Sequence, residues 1–237
     1  MMAQSYSQFG EDVLVLEYFH GKREGFFIEI GANDPVKFSQ TWLLEQSGWR
    51  GALVEPLAAK CDRLRAGRPA SRVFQVGVGA PEDRGQTTLH VSADDMFSSL
   101  LTGRSGPKET GVETVNIVTM DDLLGELGWP ELDFVSIDVE GLELRVMSGF
   151  NLERARPRLL LVEDHLKSLR LHRHLCRRGY RLVKRTGCNN WYVPAGQKPP
   201  PTTASERLAL LKRIWIHTPL AVMREKLRAW RHGGAKQ

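Results

Sequence analysis

Acidic side chains and one histidine follow four apolar segments of the sequence, and such groups can bind or deprotonate a ligand. One acid at the end of a strand is commonly the N-cap of the next helix. Acids at four strand ends instead indicate a binding crevice, because the carboxyl ends of parallel strands meet at one edge of a sheet. In chain order the residues are Glu29 and Asp34, then Glu55, then Asp138 and Glu140, and finally Glu163, Asp164 and His165.

The first apolar segment ends in a turn of small and polar residues, Gly31, Ala32 and Asn33. No GxGxxG pattern follows it, and the chain lacks a GxxxxGKS/T pattern, so neither common phosphate-binding loop is predicted. Glu55 lies 24 residues after Gly31, where a carboxylate of a doubly wound fold can bind ribose hydroxyls. A ligand with an adenosine, a positive charge and no phosphate fits this pattern, and S-adenosylmethionine has these properties.

Strand-like and helix-like segments alternate along the body of the chain. This alternation predicts an α/β fold with a doubly wound, mostly parallel sheet of seven strands. The last two strand-like segments, 180–186 and 189–194, predict a terminal antiparallel hairpin. Such a fold places the loops that follow the parallel strands on one edge of the sheet.

The sequence also predicts the secondary structure of four particular segments. A helix is predicted over roughly 36–47, and a single strand over 71–79. Residues 94–111 are rich in glycine and serine and predict a loop, whose part 96–101 could form a lid. The C-terminal segment predicts two amphipathic helices that are broken at Pro219.

The length of 237 residues fits one α/β domain with an appendage. We expect a catalytic domain over 1–196, a proline-rich linker over 197–203 and a helical tail over 204–237. The chain has no run of about 18 apolar residues, and its N-terminus lacks the pattern of a signal peptide. Three cysteines without CxxC spacing predict neither a disulfide framework nor a zinc site, so we expect a cytoplasmic protein.

The positive charge of the chain is concentrated in its tail. Residues 197–237 hold nine lysines and arginines and two glutamates, a net charge of +7, whereas the rest carries −2. This distribution argues against a nucleic-acid groove in the main domain. A basic amphipathic tail with tryptophans predicts peripheral contact of 204–237 with an anionic membrane, at its inner face; packing on the parent domain and dimerisation are the alternatives.

The chain resembles the FkbM family of methyltransferases, which have the class I S-adenosylmethionine-dependent fold. The resemblance covers most of residues 5–195. It is carried by YSQFGEDVLVLEYF at 6–19, GFFIEIGANDPVKFSQTWLLEQSGWRGALVEP at 25–56, TVNIVTMDDLL at 114–124 and LDFVSIDVEGLELRVMSGF at 132–150. The family often has Ala-Val-Ser-Asp after its third strand, whereas this chain has VGVGAPED.

The resemblance implies S-adenosylmethionine as the cofactor and assigns roles to its binding residues. The methionine end would lie against Glu29, Gly31, Ala32 and Asn33, with Asp34 beside them. Other parts of the chain would complete the site: Gln8, Glu11 and Asp12 from a segment folded over the cofactor, Glu55 at the ribose, Pro56, Val76, Gly77 and Val78 at the adenine, Ser98 in the loop, and Asp138 and Glu140 beside the sulfonium and the acceptor.

Methyl transfer to a hydroxyl needs an aligned acceptor and a group that takes its proton. The candidate bases are Asp138, Glu140, Glu163 and His165, although His165 could instead cap or orient the next helix. Alternatively, Mg²⁺ or Mn²⁺ held by Asp138, Glu163, Asp164 or His165 could activate the hydroxyl. The sequence leaves this metal open and does not predict it.

The expected reaction is O-methylation of a small-molecule or glycan acceptor, with a carbohydrate or glycolipid hydroxyl as the first choice. A polyketide-type natural product is the alternative acceptor. A non-catalytic scaffold that keeps the fold is a different class, and the line of acids at one sheet edge counts against it. The missing glycines count against a nicotinamide oxidoreductase.

Overall fold

The computed structural model describes residues 4–92, 109–166 and 168–224. Two sheets contain its strands, a large one of seven strands and a small one of three. The strands are β1 (Phe26–Ile30), β2 (Arg50–Val54), β3 (Arg72–Phe74), β4 (Gly77–Val78), β5 (Gly85–Ser92), β6 (Glu109–Val118), β7 (Phe134–Ile137), β8 (Leu159–Glu163), β9 (Tyr180–Thr186) and β10 (Asn189–Pro194).

The large sheet has the strand order β3-β2-β1-β7-β8-β10-β9. Strands β1, β2, β3, β7 and β8 pair in parallel, whereas β10 is antiparallel to both β8 and β9. The order turns back at β1, because β2 and β3 extend to one side and β7 and β8 to the other. The predicted doubly wound, mostly parallel sheet of seven strands with a terminal antiparallel hairpin is confirmed.

Helices cover both faces of the large sheet. They are α1 (Glu11–Tyr18), α2 (Trp42–Gln46), α3 (Ala58–Gly67), α4 (Met120–Leu127), α5 (Glu143–Ser148), α6 (Leu152–Ala155), α7 (Arg170–Arg177) and α8 (Ala204–Lys212). Side chains of α1, α2 and α3 pack with Phe27 and Phe134 on one face. Side chains of α4, α5 and α7 pack with Ile28 and Val135 on the other. Neighbouring residues of one strand thus enter opposite cores, as the pleat requires.

The segment 71–79 forms two strands rather than the predicted one. Strand β3 pairs with β2 in the large sheet, and β4 pairs with β6 in the small sheet. Residues 109–111 also differ from the prediction, because they belong to β6 and pair with β5. The small sheet has its own apolar cluster of Leu57, Leu89, Val115 and Ile117. Burial of these side chains stabilises the small sheet and so favours the pairing of β4 with β6.

The predicted helix over 36–47 is shortened to α2. The backbone amides of Val36 and Lys37 donate hydrogen bonds to Asp34 Oδ1, and the amide of Gln40 donates to Glu29 Oε1. The amides of Val36 and Lys37 would be unpaired in a helix that begins there, but the amide of Gln40 would bond to the carbonyl of Val36, and Glu29 diverts it.

The predicted break at Pro219 is wrong, because helical backbone continues from α8 through residue 224. A π turn, Arg213–His217, precedes the proline. Proline lacks an amide hydrogen and crowds the carbonyl four residues before it, and a wider turn relieves both conflicts. The helix packs on β9 through an ion pair between Lys184 and Glu206 at 2.9 Å. No helix in the described residues is long and apolar enough to cross a membrane.

A fully buried arginine, Arg68, ties helix α3 to the turn before α2. Its Nε donates to Glu45 Oε2 at 2.7 Å, and its other nitrogens donate to the carbonyl of Pro35, to Ser39 Oγ and to Thr41 Oγ1. The guanidinium satisfies acceptors that would otherwise be buried without a partner.

We expect Arg68→Met to lower the free energy of unfolding by about 3–5 kcal/mol, because it leaves the buried Glu45 carboxylate unpaired. Urea-induced unfolding followed by circular dichroism measures this change. Arg65→Met is the matched control, since Arg65 lies in the same helix and forms an exposed ion pair with Asp62, and it should cost about 0–1 kcal/mol. Equal losses in the two variants would contradict the role given to Arg68.

Candidate functional site

A cavity of about 700 Å³ opens at the carboxyl ends of β1, β2, β7 and β8, within the usual size range of ligand pockets. It lies where the strand order reverses, which is the ligand site of doubly wound sheets. Most of the sequence-predicted residues line it: Gln8, Glu29, Gly31, Ala32, Asn33, Glu55, Pro56, Val76, Gly77, Val78, Asp138, Glu140, Glu163 and His165.

Gly31 brings the ends of β1 and β7 close together. Its φ is +82°, and a Cβ at this position would lie 1.9 Å from the carbonyl oxygen of Asp138. Both the left-handed backbone and this contact exclude a side chain. The amide of Gly31 donates to the carbonyl of Val54 at 2.9 Å, which anchors the turn to β2. Because Gly31 has no side chain, its backbone forms part of the cavity wall.

The carboxylate of Glu29 is buried and organises the turn that follows β1. It accepts hydrogen bonds from the hydroxyls of Ser39 and Thr41 and from the amide of Gln40. Burial raises its pKa, and the nearby charge of Arg68 and these hydrogen bonds oppose that effect. Glu29 therefore shapes the cavity wall through the turn while it also reaches the cavity itself.

Glu55 holds the loops that follow β1 and β2. Its Oε2 accepts from the amide of Asn33 at 3.1 Å, and its Oε1 accepts from the amide of Leu57 at 3.1 Å. Burial raises the pKa of Glu55, and the positive charge of Lys60 acts in the opposite direction. Each carboxylate oxygen has a further lone pair, so the group can hold its loops and still accept hydrogen bonds from two hydroxyls of a ligand.

Three carboxylates converge at the centre of the site. Oxygens of Asp138, Glu140 and Glu163 all lie within 4.8 Å of one another. Asp138 opens to the cavity but is otherwise enclosed by protein, and this desolvation raises its pKa well above the usual range. The adjacent charge of Glu163 raises it further. A carboxyl group with a raised pKa binds a proton more tightly than an ordinary one, so its ionised form is the stronger base.

The composition of this cluster differs from the metal ligands considered for the sequence. Of the four ligands considered, Asp138 and Glu163 belong to the cluster, whereas Asp164 and His165 do not. Glu140, which was not considered as a ligand, is the third member. Three carboxylates at this separation offer oxygen ligands of the kind that Mg²⁺ and Mn²⁺ prefer. Without a metal, the repulsion between these carboxylates adds to the desolvation that raises the pKa of Asp138.

A second cavity of about 520 Å³ adjoins the first and shares Glu140, Glu163 and His165 with it. Its wall is mostly polar, with apolar side chains only at Leu144 and Leu171 among the described residues. The polar and charged residues of the wall are Glu140, Glu143, Glu163, Asp164, His165, Ser168 and Arg170. The carboxylate cluster therefore separates two spaces large enough for a ligand.

Several predicted site residues do not line the first cavity. Glu11 is buried and accepts hydrogen bonds from Thr186 and Asn189. Asp12 is buried and accepts from Ser5, Ser7 and the amide of Tyr6. Both acids thus hold the N-terminal segment in place. Of the remaining predicted residues, Asp34 caps its own turn, Asp164 faces the second cavity, and Ser98 lies outside the described residues.

Sequence reasoning missed two arginines of the cavity wall, Arg185 in β9 and Arg213 in the π turn. Their local sequences resemble other basic stretches of this chain, so no local signal marks them. It also missed Gln40, whose buried Oε1 has no hydrogen-bond partner in the described part of the chain. An unpaired buried oxygen at a cavity wall is suited to accept a hydrogen bond from a ligand.

The fold and site define a methyltransferase of class I topology, and the comparison with protein families agrees. A family model described as Methyltransferase FkbM domain matches residues 29–182. This is more than half of the chain, so the chain belongs to the FkbM methyltransferase family, and the resemblance seen in the sequence is confirmed. No curated protein matches the chain in a sequence comparison.

Solved structures of methyltransferases show distant similarity. The O-methyltransferase from Bacillus cereus in complex with SAH is 12% identical with a TM-score of 0.44, over 81% of this chain and 83% of that chain. The precorrin-6y C5,15-methyltransferase from Geobacter metallireducens GS-15 is 11% identical with a TM-score of 0.41, over 84% and 94%. A methyltransferase from Geobacter sulfurreducens is 9% identical with a TM-score of 0.42, over 81% and 80%. The strand order and the family match, and not these distant similarities, establish the fold.

We expect Asp138→Asn to change the dependence of stability on pH. The folded state binds the Asp138 proton more tightly than the unfolded chain, whose Asp pKa is about 4. The wild type therefore loses stability as pH rises from about 4 through the raised pKa, and asparagine avoids this loss. The free energy of unfolding of the variant, minus that of the wild type, should increase with pH in a urea-unfolding series.

Asp62→Asn is the matched control, because Asp62 is exposed on α3. Its profile should run parallel to that of the wild type. A parallel profile for Asp138→Asn as well would contradict the raised pKa of Asp138.

Proposed function

We propose that the protein is an S-adenosylmethionine-dependent O-methyltransferase that acts on a hydroxyl of a carbohydrate or glycolipid. The observation that carries the proposal is the cluster of Asp138, Glu140 and Glu163, which lines the first cavity and, through Glu140 and Glu163, also the adjoining second cavity. One cavity has the features of a cofactor site and the other those of an acceptor site, so the carboxylates lie where the two would meet.

The first cavity fits S-adenosylmethionine. The bare backbone at Gly31 and the unpaired Oε1 of Gln40 suit its amino acid end, and the Glu55 carboxylate suits the ribose hydroxyls. When bound, this cofactor supplies an electrophilic methyl group on a sulfonium. The acidic wall around Asp138 tolerates that positive charge, since opposite charges attract strongly in a partly desolvated site.

The carboxylate cluster supplies the base that oxygen methylation requires. As the bond between the acceptor oxygen and the methyl group forms and the bond from sulfur to the methyl group breaks, the hydroxyl proton passes to a carboxylate. Asp138 is the best-suited recipient, because its raised pKa makes its ionised form the stronger base. Glu163 and His165 lie beside it, with His165 Nε2 3.7 Å from Glu163 Oε1, and can pass the proton to solvent.

The polar second cavity supports a carbohydrate acceptor over a polyketide-type product. Sugar hydroxyls donate hydrogen bonds, and its acids Glu143 and Asp164 accept them. One oxygen of Asp164, Oδ2, is buried and has no partner among the described residues. An apolar acceptor would leave these groups desolvated and unpaired, which is unfavourable.

We expect S-adenosylhomocysteine to bind in a calorimetric titration, with NAD as the negative control, and Glu55→Gln to weaken binding about 10- to 100-fold. The change removes the charge that strengthens hydrogen bonds to the ribose, and one such bond contributes about 1.5–3 kcal/mol. The side-chain oxygen of glutamine can still accept a hydrogen bond from one of the two backbone amides, so the loops retain part of their support.

Glu113→Gln is the matched control. Glu113 accepts a hydrogen bond from the amide of Ala58, close to Glu55 in the chain, but does not line the cavity. Its affinity should equal that of the wild type. Absence of S-adenosylhomocysteine binding to folded wild-type protein would overturn the proposed cofactor, and methylation of apolar acceptors but no glycan in a mass-spectrometric screen would overturn the proposed acceptor.

We also propose that the tail helix lies on an anionic membrane surface at the cytoplasmic side. In a regular helix Leu208, Leu211 and Trp215 share one face, whereas Leu220 and Met223 would lie about 100° away. The π turn adds one residue and so shifts the later side chains back by about 100°. All five are exposed, and Ile214 and Thr218 are buried on the domain side.

The exposed stripe is therefore continuous and faces away from the domain. The linker and tail together, residues 197–237, carry a net charge of +7, which complements anionic lipid headgroups. A helix with an apolar face and basic flanks is the usual form of an interfacial anchor. Such an anchor would bring the cavity to a glycolipid acceptor.

We expect the double variant Leu211→Ser, Trp215→Ser to sediment at least tenfold less with anionic liposomes, since burying each side chain contributes about 1.5–3 kcal/mol. Trp215 is 75% exposed, so its replacement leaves the fold intact. Val112→Ser is the control, because Val112 is 58% exposed on the small sheet. Unchanged sedimentation of the double variant would refute the membrane contact.

A further inference from the structure

Two arginines, Arg185 and Arg213, lie together at one end of the first cavity. Arg185 Nη1 donates to the carbonyl of Asp164 at 2.7 Å and to the side-chain oxygen of Asn190. Arg213 Nη2 donates to the carbonyl of His165 at 3.0 Å. These acceptors are neutral, and within the described ranges neither guanidinium forms a salt bridge. Each keeps unused N–H donors toward the cavity.

The two positive charges oppose each other in this position. Burial lowers the pKa of Arg185, and the charge of Arg213 lowers it further, whereas the negative charge of Asp164 opposes these effects without cancelling them. Two like charges at a partly desolvated wall are unfavourable unless an anion neutralises them. Guanidinium groups match phosphate and carboxylate through paired hydrogen bonds, so a bound anion would fill the free donors and remove the repulsion.

The arginines belong to the acceptor side of the site. Strand β9, which carries Arg185, is the edge strand farthest from β2 and its Glu55. Arg213 binds the backbone of His165, and His165 lines both cavities. Both arginines line the first cavity and not the second, but each donates to the backbone of a residue in the wall of the second cavity, Asp164 or His165. The pair therefore lies on the side of the first cavity that adjoins the second, away from its ribose end.

Packing of the tail helix fixes Arg213 at the cavity. The neighbouring side chains of Ile214 and Thr218 are buried against the domain, and Glu206 pairs with Lys184 of β9. The residue lies outside the family match of 29–182. An appended helix thus contributes a charged side chain to the wall of the family's cavity.

We propose that Arg185 and Arg213 form a subsite for an anionic group of the acceptor, a phosphate or carboxylate near the hydroxyl that is methylated. The inference rests on the proposed function and narrows its acceptor to an acidic carbohydrate, either soluble or carried by a lipid. It makes Arg213 a specificity-determining residue supplied by the tail.

The test is a calorimetric titration of the full chain with glucose 1-phosphate, with methyl glucoside as the neutral control, in the presence and absence of S-adenosylhomocysteine. Arg213→Ala should weaken binding of the phosphate at least tenfold, the loss expected for a charged hydrogen bond, and Arg213→Lys should restore part of it. Arg207→Ala is the matched control, because Arg207 is exposed on the same helix and does not line the cavity.

A second arm replaces the soluble phosphate by vesicles that contain phosphatidic acid. Loss of vesicle binding in Arg213→Ala but not in Arg207→Ala would assign the anion to a lipid headgroup, and loss confined to glucose 1-phosphate would assign a soluble acceptor. Both results support the subsite.

Three results would overturn the subsite. These are phosphate affinity unchanged in Arg213→Ala, an equal loss in Arg207→Ala, and a matching loss of S-adenosylhomocysteine affinity, which would place the arginines at the carboxylate of the cofactor. The titration without S-adenosylhomocysteine tests the anion alone. Failure of the proposed cofactor therefore remains distinguishable from failure of the subsite.

Discussion

The buried carboxylate of Glu29 is the interaction on which the shape of the site depends. It sits at the end of β1 and holds the turn at Ser39, Gln40 and Thr41. A buried charge requires compensation, and Arg68 supplies it from α3 while it also binds Glu45. Because these bonds draw the turn inward, the side chain of Gln40 reaches the cavity. One charged network thus links the stability of the domain to the form of its binding site.

The meeting of β1 and β7 explains why a single crevice collects residues from distant parts of the chain. The strand order turns back at this point, so the crossovers leave from opposite faces and their loops separate. Gly31 then lets the backbone of β1 approach Asp138. The backbone at Gly31, proposed to contact the cofactor, and the carboxylate of Asp138, proposed as the base, are therefore brought together by topology and by one glycine. The side chains that surround them can vary without disturbing this arrangement.

The sequence predicts the acidic ends because a parallel sheet sends the carboxyl ends of all its strands to one edge, and Glu55 and Asp138 are found there. The sequence does not show which acids form structural hydrogen bonds and therefore do not line the cavity. Glu11 faces Thr186 and Asn189, more than 170 residues away in the chain, and only the folded chain reveals that this acid holds the N-terminal segment. The split of 71–79 between two sheets is equally non-local, since one apolar run fits either partner.

The tail shows how a local rule can mislead when tertiary packing opposes it. Proline usually ends a helix, but here Ile214, within the π turn, and Thr218, directly after it, are both buried against the domain. The apolar surface that they bury favours a helix that continues, and the wider turn accommodates Pro219 within it. The same turn places Arg213 at the cavity and aligns the exposed apolar stripe on the opposite side. A single irregularity thus couples the surface proposed for lipid contact with the residue proposed for acceptor recognition, so a change that straightens this helix would disturb both at once.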